Sequence, residues 1–122
     1  MKFICLFTLT AISVVSTGCS RSNTSQQVAS YIQVSAPELM IQYGCPTCHV
    51  IPHVPGAVGK VGPSLDDLAQ RSYLAGTVQN SPANLVKWIQ HPQQIHPGTA
   101  MPEMGVTTQD AMRIAAFLQT SN

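Results

Sequence analysis

Hydrophobic residues recur at helical spacing in several stretches between residues 35 and 120. The clearest is the last, because the apolar residues at positions 111, 114, 115 and 118 would share one face of a helix that begins after Thr107. The first begins after Ser35, where Glu38 follows three residues on in the arrangement of a capping box. Alternating strand patterns are absent from the sequence, which therefore predicts an all-α domain.

Two more helices are predicted between these. One begins at Ser81, with Pro82 as its first helical residue, and ends before Pro92. Its apolar face consists of Leu85, Trp88 and Ile89. The other is short, from the Gly-Pro-Ser segment at residues 62–64 to about Arg71. Its inward residues are Leu65 and Leu68.

Residues 51–62 and 91–105 are dense in Gly and Pro and are predicted to be loops. Long ordered loops in a small domain are usually functional or wrapped around a ligand. Met40 and Met112 lie on predicted helices, so we expect both side chains to fill the core.

The N-terminal segment accounts for part of an unusual composition, in which 44% of residues are hydrophobic and 9% are charged. Lys2 precedes an apolar run over residues 3–15, which is too short to span a bilayer and suits a signal peptide. The small residues Ser16, Thr17 and Gly18 then precede Cys19, as in the lipobox of bacterial lipoproteins. The alternative is an ordinary signal peptide in which Cys19 is incidental.

The expected organisation is a lipoprotein-type signal peptide over residues 1–18, a flexible polar tether over 19–34 and a folded domain over 35–122. The mature chain would be exported and lipid-anchored on the periplasmic side of a bacterial membrane. Cleavage would remove Lys2 and leave five basic and five acidic residues, a formal net charge of zero. A nucleic-acid partner is therefore not expected, because the chain has no basic stripe.

The sequence Cys-Pro-Thr-Cys-His at residues 45–49 has the C-x-x-C-H spacing by which c-type haem is attached. The two thiols bind the porphyrin covalently, and the histidine takes one axial position on the iron. On a helical turn, Cys48 and His49 lie three and four residues beyond Cys45 and share a face with it. We expect one haem c here, and so large an apolar cofactor would also supply part of the core of a short domain.

Two other interpretations of Cys45 and Cys48 fit less well. A thioredoxin-like pair or disulfide would be expected inside a βαβ pattern, which the flanking sequence lacks. A zinc site would need a second pair of ligands, but the other two cysteines, Cys5 and Cys19, lie in the apparent export signal.

Residues 97–105 contain the candidate for the second axial position. Met101 stands among prolines and glycines just before the last helix, where its thioether can be directed at the iron. A neutral sulfur ligand stabilises ferrous iron. Met104 is an alternative ligand. His53, His91 and His96 are interpreted as loop residues, with a bis-histidine site through His96 as the alternative.

Six features follow one another between residues 37 and 118: CPTCH at 45–49, Gly62-Pro63-x-Leu65, Arg71, Asn84-Leu85-x-x-Trp88-Ile89, Thr99-x-Met101-Pro102 and the terminal helix. In these features the chain resembles class I cytochromes c of bacterial respiratory chains. It is particularly similar to the cytochrome c domains that are attached to terminal oxidases or work beside them.

The resemblance implies a small fold of about four helices, with long loops wrapped around one covalently attached haem c. It implies that Met101 is the distal ligand and that the Pro63 carbonyl accepts a hydrogen bond from the His49 ring. It also implies that Arg71 and Trp88 are neighbours of the haem propionates. The alternatives are that Arg71 is a solvated helix end and that Trp88 serves the core alone.

The function expected from the resemblance is one-electron transfer in a respiratory chain. With His49 and Met101 both bound, the iron would offer no open site, so we expect a carrier and not an enzyme. Its partners would be redox proteins such as a terminal oxidase or a quinol-oxidising complex, and the chain itself would be monomeric without a small-molecule substrate. A haem-bearing subunit of a dehydrogenase or oxidase complex is the alternative, followed by a gas or redox sensor with a displaceable Met101.

If Cys19 is lipidated, labelled fatty acid is expected to be incorporated into the wild-type chain and not into Cys19→Ala. The measurement is gel autoradiography of the immunoprecipitated protein. Equal labelling of both chains would contradict the lipobox interpretation.

Overall fold

The computed structural model describes residues 34–121, which are largely helical. The elements are α1 (Ala36–Gln42), β1 (Tyr73–Leu74), β2 (Val78–Gln79), α2 (Pro82–Gln90), α3 (Pro92–Ile95) and α4 (Thr108–Thr120). Single 3-10 turns also occur at Cys45–Thr47 and Leu68–Gln70. The predicted signal peptide, Cys19 and nearly all of the predicted tether lie outside the described residues. No helix within 34–121 has both the length and the hydropathy needed to cross a membrane.

Three helices begin where the sequence predicts. Ser35 caps α1 as a capping box, because its hydroxyl accepts from the Glu38 amide while the Glu38 carboxylate accepts from the Ser35 amide. The hydrogen bonds that the Glu38 carboxylate accepts from the Ser35 amide and from the Ser35 hydroxyl lower the pKa of Glu38. Ser81 and Thr107 accept hydrogen bonds in the same way from backbone amides in the first turns of α2 and α4.

The core is formed mainly where α2 and α1 pack against α4. The apolar stripe of α4 is buried as predicted, and it meets Leu85 and Ile89 of α2 and Met40 of α1. The buried residues of α4 are Ala111, Ile114, Ala115 and Leu118. Met112 lies on the opposite side of the stripe and is 57% exposed, so its predicted core position is wrong.

The second predicted helix is reduced to the turn Leu68–Gln70, because Asp67 adopts a left-handed conformation (φ 54°) that interrupts a helix. Beyond it lies a hairpin that the sequence did not predict, with β1 antiparallel to β2 and Leu74 opposite Val78. Strands of two residues are too short to show an alternating pattern. The strictly all-α prediction is therefore wrong in this detail.

The predicted loops are also more structured than expected. Residues 91–105 contain the short helix α3, and Val58 of the loop 51–62 forms an isolated antiparallel bridge with Val50, just before the loop. The Asn80 side chain fixes the hairpin by donating to the carbonyls of Leu68 (2.7 Å) and Arg71 (2.9 Å) and accepting from Gln119 of α4 (2.9 Å). Side-chain hydrogen bonds thus join the hairpin to the helical core.

Asp110 joins the end of α1 to the start of α4. One of its carboxylate oxygens accepts from Tyr43 (2.9 Å) and from Thr107 (2.8 Å). These two hydrogen bonds, that of Thr107 first, lower the pKa of Asp110. A carboxylate with a lowered pKa stabilises the fold above its unfolded pKa of about 3.9, and this stabilisation is lost as the pH falls through the folded value.

Asp110→Asn is therefore expected to melt at a lower temperature than wild type at pH 7, and the difference should shrink when both are measured near pH 3. The measurement is thermal denaturation followed by circular dichroism. Asp67→Asn is the control, because the Asp67 carboxylate accepts no hydrogen bond within residues 34–121. An Asp110→Asn deficit of equal size at both pH values would contradict the assignment.

Candidate functional site

The core lines a partly open cavity of about 450 Å³ whose wall is mostly apolar. This volume lies within the range of cofactor sites. The cysteine-histidine motif and the methionine segment of residues 99–104 both line it. Between them the wall is built from buried core side chains: Leu68, Leu74, Leu85, Ile89, Ile114 and Leu118.

The cysteine motif forms one tight turn at the cavity wall. Gly44 turns the chain with a positive φ of 78°, and Pro46 is then well placed in the first turn of the 3-10 helix. The amides of Cys48 and His49 both donate to the Cys45 carbonyl, at 3.2 and 3.1 Å. This turn brings all three side chains of the predicted attachment site to the same cavity.

Both cysteines in the described residues are free thiols and are partly buried. Burial is the main cause that raises the pKa of the Cys45 thiol. Within residues 34–121 there is no group of three or more His, Cys, Asp or Glu side chains that could hold a metal ion. The described residues therefore provide no set of ligands for the zinc interpretation.

The orientation of the His49 ring is set by residues 62 and 63. Its Nδ1 lies 2.7 Å from the Pro63 carbonyl oxygen. Because a carbonyl can only accept, Nδ1 carries the proton and Nε2 keeps a free lone pair. Gly62 lies directly against the ring, and its own amide donates to the Cys48 carbonyl (2.8 Å).

Two glycines of the loop after the motif allow this close approach. A Cβ at Gly62 would lie 2.7 Å from His49 Nδ1, and a Cβ at Gly59 would lie 2.5 Å from the Thr47 carbonyl oxygen. Neither distance is possible for a real side chain without movement of the backbone or the ring. Sequence reasoning missed this role, and the only signal for it was the density of glycine in the loop.

Met101 is half-buried and lines the cavity, as do its neighbours Thr99, Ala100 and Pro102. Met104 also lines it, and its methyl carbon lies 3.6 Å from the place where a Gly44 Cβ would be. The cavity wall thus contains both candidate sulfur ligands. His96 is exposed and does not belong to that wall.

Arg71, Pro63 and Trp88 all line the cavity. The Arg71 guanidinium donates through Nη2 to the carbonyls of Ser64 (2.6 Å) and Asp66 (2.8 Å). Within residues 34–121 it has no carboxylate partner, so its charge is not neutralised there by an acidic side chain. Trp88 is half-buried and packs against the core.

The sequence is 30% identical over 78 residues to the cytochrome c oxidase subunit 2 of Alkalihalophilus pseudofirmus (strain ATCC BAA-2126 / JCM 17055 / OF4). This region makes up 62% of the chain and 22% of the oxidase subunit, so the match spans about a fifth of that relative. No family model matches the sequence, and no solved structure matches it significantly. The chain is thus distantly similar to part of an oxidase subunit.

Gly62→Ala is expected to displace the His49 ring and to destabilise the fold by about 1–3 kcal/mol, the usual cost of overpacking. Urea denaturation measures the stability, and NMR of the His49 Nδ1 proton reports its hydrogen bond to Pro63. Gly76→Ala is the control, since Gly76 has a positive φ of 70° but no atom near its Cβ position. The control should lose stability through strain and keep the Nδ1 proton signal, whereas an unchanged signal in Gly62→Ala would contradict the steric argument.

Proposed function

We propose that this chain is an electron-transfer protein of a respiratory oxidase system, with one haem c attached to Cys45 and Cys48 and ligated by His49 and Met101. The observation that carries the proposal is that these four side chains, which lie in two segments far apart in the sequence, line one apolar cavity. The distant similarity to an oxidase subunit supports the respiratory setting.

The cavity suits a haem in three respects. Its wall is apolar enough to receive a porphyrin, and its volume of about 450 Å³ lies within the range of ligand and cofactor sites. Two thiols stand at C-x-x-C-H spacing on one turn of its wall. The His49 tautomer leaves Nε2 as the metal-binding nitrogen, with Pro63 holding the other nitrogen as a supporting hydrogen-bond acceptor.

Each residue then has a separate task. Cys45 and Cys48 would hold the haem through thioether links, which would keep the cofactor from dissociating. His49 and Met101 would ligate its iron, and the soft Met101 sulfur would favour the ferrous state. When bound, haem c supplies a one-electron couple. The apolar wall excludes water and so limits the rearrangement that accompanies a change of charge.

Arg71 and Trp88 are proposed to lie near the haem propionates. Arg71 supports this because it borders the cavity with a charge that no acidic side chain of the described residues pairs. The Trp88 ring also lines the cavity, and its indole N–H is a hydrogen-bond donor. Both groups can donate hydrogen bonds to a carboxylate.

Two forms of the function fit this site: a separate carrier that docks to an oxidase, and a haem-bearing subunit within one. The similarity to an oxidase subunit favours association with an oxidase complex. In either form the chain passes electrons and performs no substrate chemistry of its own.

Lipid anchoring through Cys19 on the periplasmic side would hold it beside its membrane partner. Copurification with a membrane oxidase separates the two forms.

The ligand assignment predicts a weak sulfur-to-iron charge-transfer band at long wavelength in the oxidised protein. Met101→Ala should abolish the band, lower the reduction potential and admit carbon monoxide to the reduced iron. Absorption spectroscopy and a redox titration measure these changes.

Met104→Ala is the matched control, because Met104 lines the same cavity three residues further along the chain. It should keep the band and exclude carbon monoxide. Loss of the band in Met104→Ala with retention in Met101→Ala would reverse the assignment. Absence of the band from wild type would favour His96 or an open site, and an open site would favour a sensor.

A further inference from the structure

The side-chain amide of Gln93 makes three hydrogen bonds to the segment that carries Met101. Its Nε2 donates to the carbonyl oxygens of Thr99 (2.7 Å) and Met101 (2.9 Å), and its Oε1 accepts from the Gly98 amide (3.2 Å). The amide cannot be reversed, because two of the three partners only accept and the third only donates. One side chain thus spans the backbone of four consecutive residues.

The segment has little other support. Gly98 has a positive φ of 83°, and the backbone here contributes one hydrogen bond, from the Thr99 amide to the His96 carbonyl (3.1 Å). Within residues 34–121, no backbone donor reaches the carbonyls of Thr99 or Met101. The amide of Met101 makes only a long bond to the Thr99 hydroxyl (3.4 Å). Gln93 is therefore the main restraint on this turn.

The backbone of Gln93 is itself held in place by the helices. It follows Pro92, which is buried, in the short helix α3, and α3 packs against α2. The Gln93 backbone amide also donates to the Glu103 carboxylate (3.3 Å), so residues on both sides of Met101 are held by the same residue. Because Gln93 is fixed relative to the packed helices, its hydrogen bonds fix the Met101 segment relative to the core.

The nearby contact between His91 and Glu103 is a weaker candidate for the same task. His91 Nδ1 and Glu103 Oε2 lie 3.2 Å apart, but their side chains are 51% and 44% exposed. Exposed polar pairs of this kind contribute little to stability. The half-buried neutral amide of Gln93 is therefore a stronger restraint on the Met101 segment than the contact between His91 and Glu103.

We propose that Gln93 is the positioning residue for Met101: its amide holds the Gly98–Met101 turn against the cavity and thereby keeps the thioether directed at the metal. This inference rests on the proposed function, because it assumes that Met101 is the ligand. It adds that Met101 stays bound through a restraint outside the coordination sphere. Without that restraint the turn would open more often, and the Met101 thioether would leave the iron more readily.

The test compares two variants of the holoprotein. Gln93→Leu keeps a similar volume and removes all three hydrogen bonds, whereas Gln93→Glu keeps an acceptor for the Gly98 amide and removes both donors. Gln94→Leu is the matched control, since Gln94 is the next residue of α3, is exposed and has no side-chain hydrogen bond within the described residues.

Three readouts are measured after thermal melting has shown that each variant folds. They are exchange of the Gly98 amide hydrogen in the reduced protein, the sulfur-to-iron band of the oxidised protein, and its rate of cyanide binding. Loss of two or three hydrogen bonds of ordinary strength should raise the open fraction, and with it the cyanide rate, by about 30- to 150-fold.

Gln93→Leu should show faster Gly98 exchange, a weaker band and faster cyanide binding. Gln93→Glu should keep the Gly98 protection and still show the weaker band and faster binding, and Gln94→Leu should match wild type in all three. A variant that lowers the melting temperature without changing the band or the cyanide rate would show a structural role only and overturn the proposal.

Failure of the proposed function gives a different result. If wild type lacks the sulfur band, Met101 ligation is overturned and the positioning role falls with it. If wild type has the band and both Gln93 variants keep its full intensity, the proposed function stands and only the role of Gln93 is overturned.

Discussion

The structure depends on the sharing of core side chains between helix packing and the cavity wall. Leu85 and Ile89 of α2 and Ile114 and Leu118 of α4 belong to the buried core, and all four also line the cavity. A domain this short has little other apolar surface to bury. The same side chains therefore determine both the helix contacts and the shape of the cavity. A change in the volume of one of them affects both.

The loops that complete the cavity are held by neutral amide side chains. Asn80 fixes the hairpin, Gln90 donates to the Val106 carbonyl (3.2 Å) at the entry to α4, and Gln93 fixes the Met101 turn. Only 9% of residues are charged, and the described ion pairs are at most partly buried. Hydrogen bonds between neutral groups do not change with protonation and are screened little by salt. For the proposed electron carrier, these three loop restraints should therefore depend little on pH and salt.

Local signals in the sequence were the most reliable guide to the fold. Ser35, Ser81 and Thr107 mark helix starts because a capping side chain acts on amides within its own turn. The helix predicted to end near Arg71 failed because Asp67 adopts a left-handed conformation, which the apolar spacing of that stretch does not reveal. Met112 was misplaced because an apolar residue on a helix was assigned to the core without regard to its face.

The sequence by itself determined the three capped helices, the buried stripe of α4 and the grouping of two thiols and an imidazole on one turn, since each depends on neighbours within a few positions. Only the tertiary structure placed Met101 and Met104 on the same cavity as that turn, brought Gly62 against the His49 ring and directed the Gln93 amide to the Met101 segment. These contacts depend on the paths of two loops. The path of a loop is not encoded in a repeating sequence pattern. It is fixed by side-chain hydrogen bonds to individual backbone groups and by glycines, whose lack of a Cβ allows close contacts.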